Sequence, residues 1–249
     1  MKTEVELYYY GYERRYQVVY AAGVTRWGHA PDDAVLRATL EHWVDTHQLK
    51  GKRVLEFACG EGACGVILAE LGCVYHGVDI APSAVEKARE ALAGFPAAEV
   101  SRMDMVLERV EGEFDGALDC MGFHMLVTDE DRRRYLANAY QALKQGAPML
   151  FFRQSYRRDA YEGSVASFEE WKRISGSDYD TPQVRRVFND GQDVCVQIPL
   201  VLGRAGTAEG YRHELMAAGF SVDMFMEMDD NVQCPESASI WACKNEVTG

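Results

Sequence analysis

Between Arg53 and Gln154 five short strand-like segments alternate with helical stripes, and this alternation leaves few folds open. RVLEFAC (53–59), VYHGVDI (74–80), EVSRMDM (99–105), FDGALDCMG (114–122) and PMLFFRQ (148–154) read as strands. The stretches between them read as helices. A small-residue run surrounds Val66–Leu71, and Val85, Ala88 and Leu92 share a face behind Pro82. Tyr135, Leu136, Ala139, Tyr140 and Leu143 follow a cap made by Thr128 and Asp131. Strands alternating with helices of this length build βαβ units, so the expected fold is α/β with a doubly wound, mostly parallel sheet.

The flanks depart from that pattern. Tyr12, Tyr16 and Tyr20 recur every four residues in an aromatic-rich start, which puts three rings on one helical face. Val35, Leu36, Thr39, Leu40, Trp43 and Val44 make a second stripe that runs to Gln48 and is ended by Lys50-Gly51-Lys52. After Gln154 the alternation stops: SYRRDAYEGS, an amphipathic FEEWKRI and a turn-like SGSDYDTP precede the strand-like VCVQIPLVL (194–202). A helix over about 207–218, stopped by Gly219, leads to FSVDMFMEM and SASIWACK, expected as an antiparallel C-terminal pair. The division expected is an N-terminal helical lid at 1–48 and a main domain at 49–249. An insertion at 155–195 would then lie past the carboxyl end of the fifth strand, where open α/β sheets bind ligands.

Charge narrows the partners. Acidic residues outnumber basic ones 39 to 26, a net charge of −13, so a nucleic-acid backbone meets a repulsive average field. No apolar run reaches the about 18 residues that a membrane span needs, and MKTEVELYYY lacks the basic and apolar regions of a secretion signal. A cytoplasmic protein without a membrane partner is expected. Seven scattered cysteines without a CxxC pair read as reduced thiols, and no metal site is expected. A homodimer is left open.

Gly60-x-Gly62-x-x-Gly65 leaves the first strand and enters a helix, with small residues where backbone must approach a ligand. Its literal reading is a nicotinamide or flavin fingerprint with Asp79 on a ribose. Glu56 argues against that reading, because an acid four residues before Gly60 suits a pyrophosphate poorly. The ordered set E-x-x-x-G-x-G, Asp79 ending the second strand, Asp104-Met105 after the third and FDGALD at the fourth resembles the class I S-adenosylmethionine-dependent methyltransferases. The resemblance covers roughly residues 50–155 and departs at Leu143-Lys144-Gln145-Gly146-Ala147-Pro148, where such enzymes often show L-K-P-G-G.

The resemblance implies S-adenosylmethionine as cofactor and S-adenosylhomocysteine as product. It would lay Ala58, Cys59, Gly60 and Gly62 against the cofactor, with Glu56 ordering that loop near the methionine end. Asp79 would take the ribose hydroxyls, Asp104 the adenine amino group, and Ile80 and Met105 the faces of the ring. The bare sequence also allows Glu56 as a solvated strand-end charge, Asp79 as a cap for the next helix and Asp104 as a turn former.

Asp119-Cys120-Met121-Gly122-Phe123-His124 matches by position the family's stretch beside the methyl group, which brings Asp119 to the cofactor and His124 to the acceptor. His124 is either a general base or a backbone-bonded residue shaping the pocket. Cys120 reads as a small buried hydrophobe. Trp27 and the tyrosines could meet a sulfonium through cation–π contact or simply pack. Arg157, Arg158, Arg185 and Arg186 could pair with an acceptor carboxylate or be solvated, and Arg132–Arg134 read as surface. The function expected is methyl transfer to an O, N or S nucleophile of a small molecule. A nicotinamide-dependent oxidoreductase and a non-catalytic S-adenosylmethionine-binding protein are the alternatives.

Overall fold

The computed structural model describes residues 7–189, 192–198, 203–229 and 234–245. A 3-10 turn at Tyr8–Tyr10 leads into α1 (Gly11–Ala21), and α2 (Ala34–Thr46) follows. The alternating core comprises β1 (Arg53–Phe57), α3 (Ala63–Glu70), β2 (Val74–Asp79), α4 (Pro82–Leu92), β3 (Ala98–Arg102), β4 (Gly116–Cys120), α5 (Asp129–Ala142) and β5 (Pro148–Ser155). After it come α6 (Phe168–Ser175), β6 (Gln183–Asn189), β7 (Gln192–Ile198), α7 (Ala208–Ala217), β8 (Phe220–Met228) and β9 (Ser237–Lys244).

Seven strands form one sheet in the order β3-β2-β1-β4-β5-β9-β8. The first five are parallel, and β9 runs antiparallel to both of its neighbours. Reversal of strand order at β1 and β4 leaves a crevice at their carboxyl ends, because consecutive crossovers there lead in opposite directions. The third and fourth strands are shorter than expected. Met103–Met105 turn away after β3, and Phe114 keeps only an isolated bridge to Leu143.

Each face of the sheet carries its own core. Leu55, Phe57, Ala117, Met149 and Phe151 pack towards α5 and α7, while Val54, Leu118, Leu150 and Phe152 pack towards α2, α3 and α4. Each fully buried large apolar side chain contributes roughly 1.5–3 kcal/mol relative to exposure. Among the described residues no helix is long and apolar enough to cross a membrane.

The expected helical lid at 1–48 divides in two, and residues 1–6 lie outside the described residues. α2 is part of the sheet's covering layer: Asp33 caps it by accepting from the Val35 and Leu36 amides, and Leu36, Leu40, Trp43 and Val44 are buried against the sheet. Val35 faces solvent, so the stripe is narrower than the sequence suggests. Only α1 and its flanking turns lie over the carboxyl edge of the strands. Glu13 fastens α1 to the start of α4 by accepting from the Ser83 amide and hydroxyl, at 3.0 and 2.7 Å.

The insertion is longer than 155–195. It contains α6 and a hairpin in which β6 pairs antiparallel with β7 as a separate two-stranded sheet. Val187, Val196 and Ile198 of the hairpin pack on Val19 and Val24 of the lid. Residues 199–202 of the expected strand, and the side chain of Arg186, lie outside the described residues.

Arg132 corrects its reading as a surface residue. It is 2% exposed, its guanidinium meets Glu214 through two bonds of 2.6 Å, and it lies 3.9 Å over the Phe123 ring. A helix start at a sheet edge looks solvent-facing in sequence, but α7 docks onto it from far along the chain. Arg133 and Arg134 do remain exposed, both paired with Glu130. Arg157 and Arg158 pair with Glu236 and Glu227 on exposed surface.

Candidate active site

A cleft enclosing about 1050 Å³, its open mouth included, runs along the carboxyl ends of β1, β2 and β4 under α1. Glu56, Asp79 and Asp104 reach it from three different strand ends. Parallel strands bring this about, since residues that close successive strands share one edge of the sheet.

The loop after β1 adopts an uncommon backbone. Ala58 and Gly60 both have φ +51, and Gly62 has φ +81. Gly60 faces the cleft, where a Cβ would stand 3.1 Å from Tyr16 Oη. Gly62 does not line the cleft. It is the left-handed N-cap of α3, and a Cβ there would come within 3.1 Å of Ala88 Cβ, so its smallness serves loop-to-α4 packing. Ala58 and Met121 (φ 65) are cleft residues that hold left-handed backbone without glycine's freedom, which costs on the order of 1 kcal/mol or more each.

Asp79 does two things at once. Its Oδ2 accepts from the Gly60 amide at 2.9 Å and its Oδ1 from Ala81 at 2.8 Å, tying the glycine loop to the start of α4. Burial raises its carboxyl to about 6. Asp104 likewise forms a turn, accepting from Val106 and Leu107, while Tyr9 Oη donates to its other oxygen at 3.0 Å. Burial raises its pKa too.

Glu56 is 1% exposed and accepts from Tyr75 Oη at 2.5 Å. Burial pushes its carboxyl up to about 8, against the Tyr75 hydrogen bond. Three desolvated acids therefore share one cleft. Among the described lining residues there is no Lys or Arg, and His29 is the single basic one. Such a surface stabilises a cationic guest and disfavours a phosphate.

Ile80, Met103 and Met105 supply an apolar wall beside Asp104, fit for a flat heterocycle. Ala58, Cys59 and Trp27 also line the cleft. The lid is locked over the glycine loop by a residue the sequence did not single out. Glu61 accepts from the Trp27 and Gly28 amides at 2.9 and 2.7 Å and from Tyr20 Oη at 2.6 Å. It had no legible signal, because its partners stand more than thirty positions away.

Besides Gly62, two expected residues are absent from the cleft wall. Asp119 is fully buried beneath it, accepting from the Gly122 and Phe123 amides, Tyr135 Oη and Gln154 Nε2. The two amide bonds shape the turn after β4, and the other two tie it to α5 and β5. His124 is 4% exposed, with Nδ1 3.1 Å from Gln154 Oε1, and burial lowers its pKa to about 4. After the left-handed Met121 a 3-10 turn sends Phe123 and His124 into the interior, while Met121, Gly122 and Met125 face the cleft. Cys120 departs from its expected role as a buried hydrophobe, since it lines the cleft.

Residues 54–146 match the profile of a family described as a methyltransferase domain. Local matches include the ribosomal protein L11 methyltransferase of Hahella chejuensis, 41% identical over 49 residues, 19% of this chain and 17% of that protein. Another is the aklanonic acid methyltransferase of a Streptomyces species, 52% identical over 44 residues, 16% and 20% of the two chains. The aligned stretch thus spans about a fifth or less of these relatives.

Among solved structures, the 1,6-didemethyltoxoflavin-N1-methyltransferase of Burkholderia thailandensis, with its substrate and S-adenosylhomocysteine bound, superposes with a TM-score of 0.66. That match has 16% identity and covers 99% of this chain and 92% of the other. An S-adenosylmethionine-dependent methyltransferase from Clostridium acetobutylicum gives 0.61 at 14% identity, over 95% and 99% of the two chains. At such identities these structures share the fold.

Proposed function

We infer that the chain, a class I methyltransferase in its sheet order and in the domain matched at residues 54–146, transfers a methyl group from S-adenosylmethionine to a small molecule. The observation that carries this reading is the convergence of Glu56, Asp79 and Asp104 on a cleft that no Lys or Arg lines among the described residues. S-adenosylmethionine has an ammonium, a sulfonium, a ribose diol and an adenine, and no phosphate. A nicotinamide dinucleotide would bring a pyrophosphate to the same acids. Small-molecule acceptors are supported by the neighbouring folds, among them the toxoflavin-precursor enzyme and an amino pentose methyltransferase from Micromonospora echinaspora (TM-score 0.60, 17% identity, 93% and 97% of the two chains).

When bound, S-adenosylmethionine supplies an electrophilic methyl group on a charged sulfur. Glu56 holds the ammonium end, Asp79 accepts from the ribose hydroxyls, and Asp104 takes the adenine amino group with Ile80 and Met105 against the ring. Trp27, Tyr12 and Tyr16 close the cleft from the lid and exclude water from the reacting centre. Alignment and desolvation are the main demands of an in-line displacement. The acceptor's proton leaves without help from His124, which is buried outside the cleft wall with Nδ1 turned to Gln154. The acceptor atom is O, N or S, and the acceptor enters between the lid and the Met121–Leu126 turn.

Calorimetric titration tests the reading: S-adenosylmethionine and S-adenosylhomocysteine bind and raise Tm through linkage, whereas NAD does neither. Binding of NAD in preference to S-adenosylhomocysteine would replace this reading with an oxidoreductase. Tight binding with no S-adenosylhomocysteine formed over a broad acceptor panel would favour a non-catalytic sensor.

A further inference from the structure

Glu56 on β1 pairs in register with Gly77 on β2. The two share a face of the parallel sheet, and so does Tyr75, two residues earlier on β2. The Tyr75 ring therefore runs along β2 and over Gly77 before its hydroxyl meets Glu56. Space for that path exists because two residues have no side chain. A Cβ on Gly77 would overlap Tyr75 Oη and stand 2.9 Å from Cζ. A Cβ on Gly65, in the first turn of α3, would stand 2.6 Å from both Cε1 and Cζ. In a dinucleotide fold the third glycine of the loop permits close packing of helix on strand; here the room it leaves holds the Tyr75 ring, which is 1% exposed.

We propose that Tyr75 is a positioning residue for cofactor binding: its phenol, guided between Gly65 and Gly77, holds the Glu56 carboxyl with one oxygen turned to the ammonium of S-adenosylmethionine. The inference rests on the methyl-transfer reading, in which Glu56 receives that ammonium. Tyr75 Oη donates to Oε2 at 2.5 Å, which leaves Oε1 for the guest and stabilises the ionised carboxyl over the neutral one. A glutamate side chain is flexible, and a donor already fixed in the core spares the cofactor the cost of ordering it. Tyr75 acts as a donor throughout, because burial and the Glu56 charge hold its own phenol well above the ordinary tyrosine range. The other titratable groups about Glu56 are Cys120 and Asp119 on β4 and Cys64 on α3. Burial is the largest influence on the carboxyl and opposes ionisation, and the Tyr75 bond is the next and favours it. Cys120 and Asp119 side with burial, and Cys64 with Tyr75.

Removing the hydroxyl while keeping the ring separates this role from ordinary core packing. The slot stays filled, whereas Glu56 loses the donor that favours its charge. Its carboxyl is then harder to ionise and freer to turn, and an ammonium arriving in the cleft has to impose both. With the free carboxyl at about 8, a rise of one pH unit cuts the ionised fraction near pH 7 about ninefold. Affinity for S-adenosylhomocysteine, which carries the same ammonium, falls by about that factor.

Infrared titration of the ligand-free full chain tests the bond without any cofactor. The protonated-carboxyl band that Glu56→Gln removes reports Glu56, and it should fade in the unaltered chain as pH rises through about 8. In Tyr75→Phe that midpoint should rise by about one pH unit or more. Gly77→Ala leaves the tyrosine in the chain but puts a Cβ where its phenol lies, and should raise the midpoint likewise. Calorimetry at pH 7 should show Tyr75→Phe binding S-adenosylhomocysteine about ninefold more weakly than the unaltered chain. A midpoint that moves by less than about 0.3 pH units in Tyr75→Phe overturns the proposal, and so does an affinity within about twofold of the unaltered chain. Failure of the unaltered chain to bind S-adenosylhomocysteine is a different result: it removes the methyl-transfer reading and the proposal with it, while the infrared midpoint still shows whether Tyr75 governs Glu56.

Discussion

Glu56 should make cofactor affinity depend on pH in a way that a neutral isostere abolishes. In the free protein burial holds its carboxyl at about 8, so near pH 7 it is mostly protonated. An ammonium seated against it favours the ionised form, and binding must then expel a proton. The sign follows directly: because the free pKa is raised and the bound one lowered, affinity rises with pH up to about 8 and falls as pH drops. With a free pKa of about 8, affinity should improve about ninefold from pH 6 to pH 7, or about 1.3 kcal/mol. That window stays below the ligand's own α-amino pKa of about 7.7–8.0.

Calorimetry with S-adenosylhomocysteine in two buffers of different ionisation enthalpy measures both quantities. About one proton should leave per ligand at pH 7, less any contribution from Asp79. Glu56→Gln mimics the protonated carboxyl, so it should lose the slope and bind more weakly at both pH values, by about tenfold or more at pH 6 and by a wider margin at pH 7. Asp79, Asp104 and His29 titrate in both proteins and cancel in the comparison. Parallel slopes within twofold would show that Glu56 does not face the ammonium.

Asp79→Asn should weaken S-adenosylhomocysteine about ten- to hundred-fold, since the amide cannot accept from both ribose hydroxyls, and unchanged affinity in the same titration would remove Asp79 from the site. His124→Asn should leave turnover within about threefold, whereas a loss of 10²-fold or more with intact affinity would restore it as a base. The same variant should blunt acid denaturation. The buried imidazole's lowered pKa gives stability that is present above about 6.5 and lost as pH falls towards about 4, a difference visible in chemical melts at pH 4.5 and 7. Glu61→Ala releases the Trp27 and Gly28 amides, so hydrogen exchange there should quicken at least tenfold while the sheet amides stay protected. Arg132→Ala strands Glu214 and the Phe123 and Leu126 carbonyls, at a cost of about 3 kcal/mol and a Tm drop of roughly 6–12 °C; a shift under 2 °C would contradict its buried role.

Much of the scaffold was legible because it rests on local periodicity. The strand–helix alternation from Arg53 to Gln154 determined a parallel sheet, and a parallel sheet sends every strand's last residues to one edge. Glu56, Asp79 and Asp104 therefore had to converge once the alternation was read correctly, and the cleft holds all three. The Thr128 cap and the glycine loop are likewise local chemistry, decided within a few residues.

What the tertiary structure alone decided concerns direction and partnership. The left-handed Met121 and the 3-10 turn behind it rotate His124 out of the cleft and leave Cys120 in it, and one backbone dihedral of this kind has no signature in residue spacing. Arg132 reads as a helix-start surface charge until α7 brings Glu214 to it from 82 positions away. His29, Asp33 and Arg153 meet across more than a hundred residues of chain. Sequence pattern records how a side chain stands relative to its neighbours in the chain, so it could place the acids at strand ends. It does not record which distant surface folds down upon them, and in this protein that surface supplies the lid clamp and the imidazole.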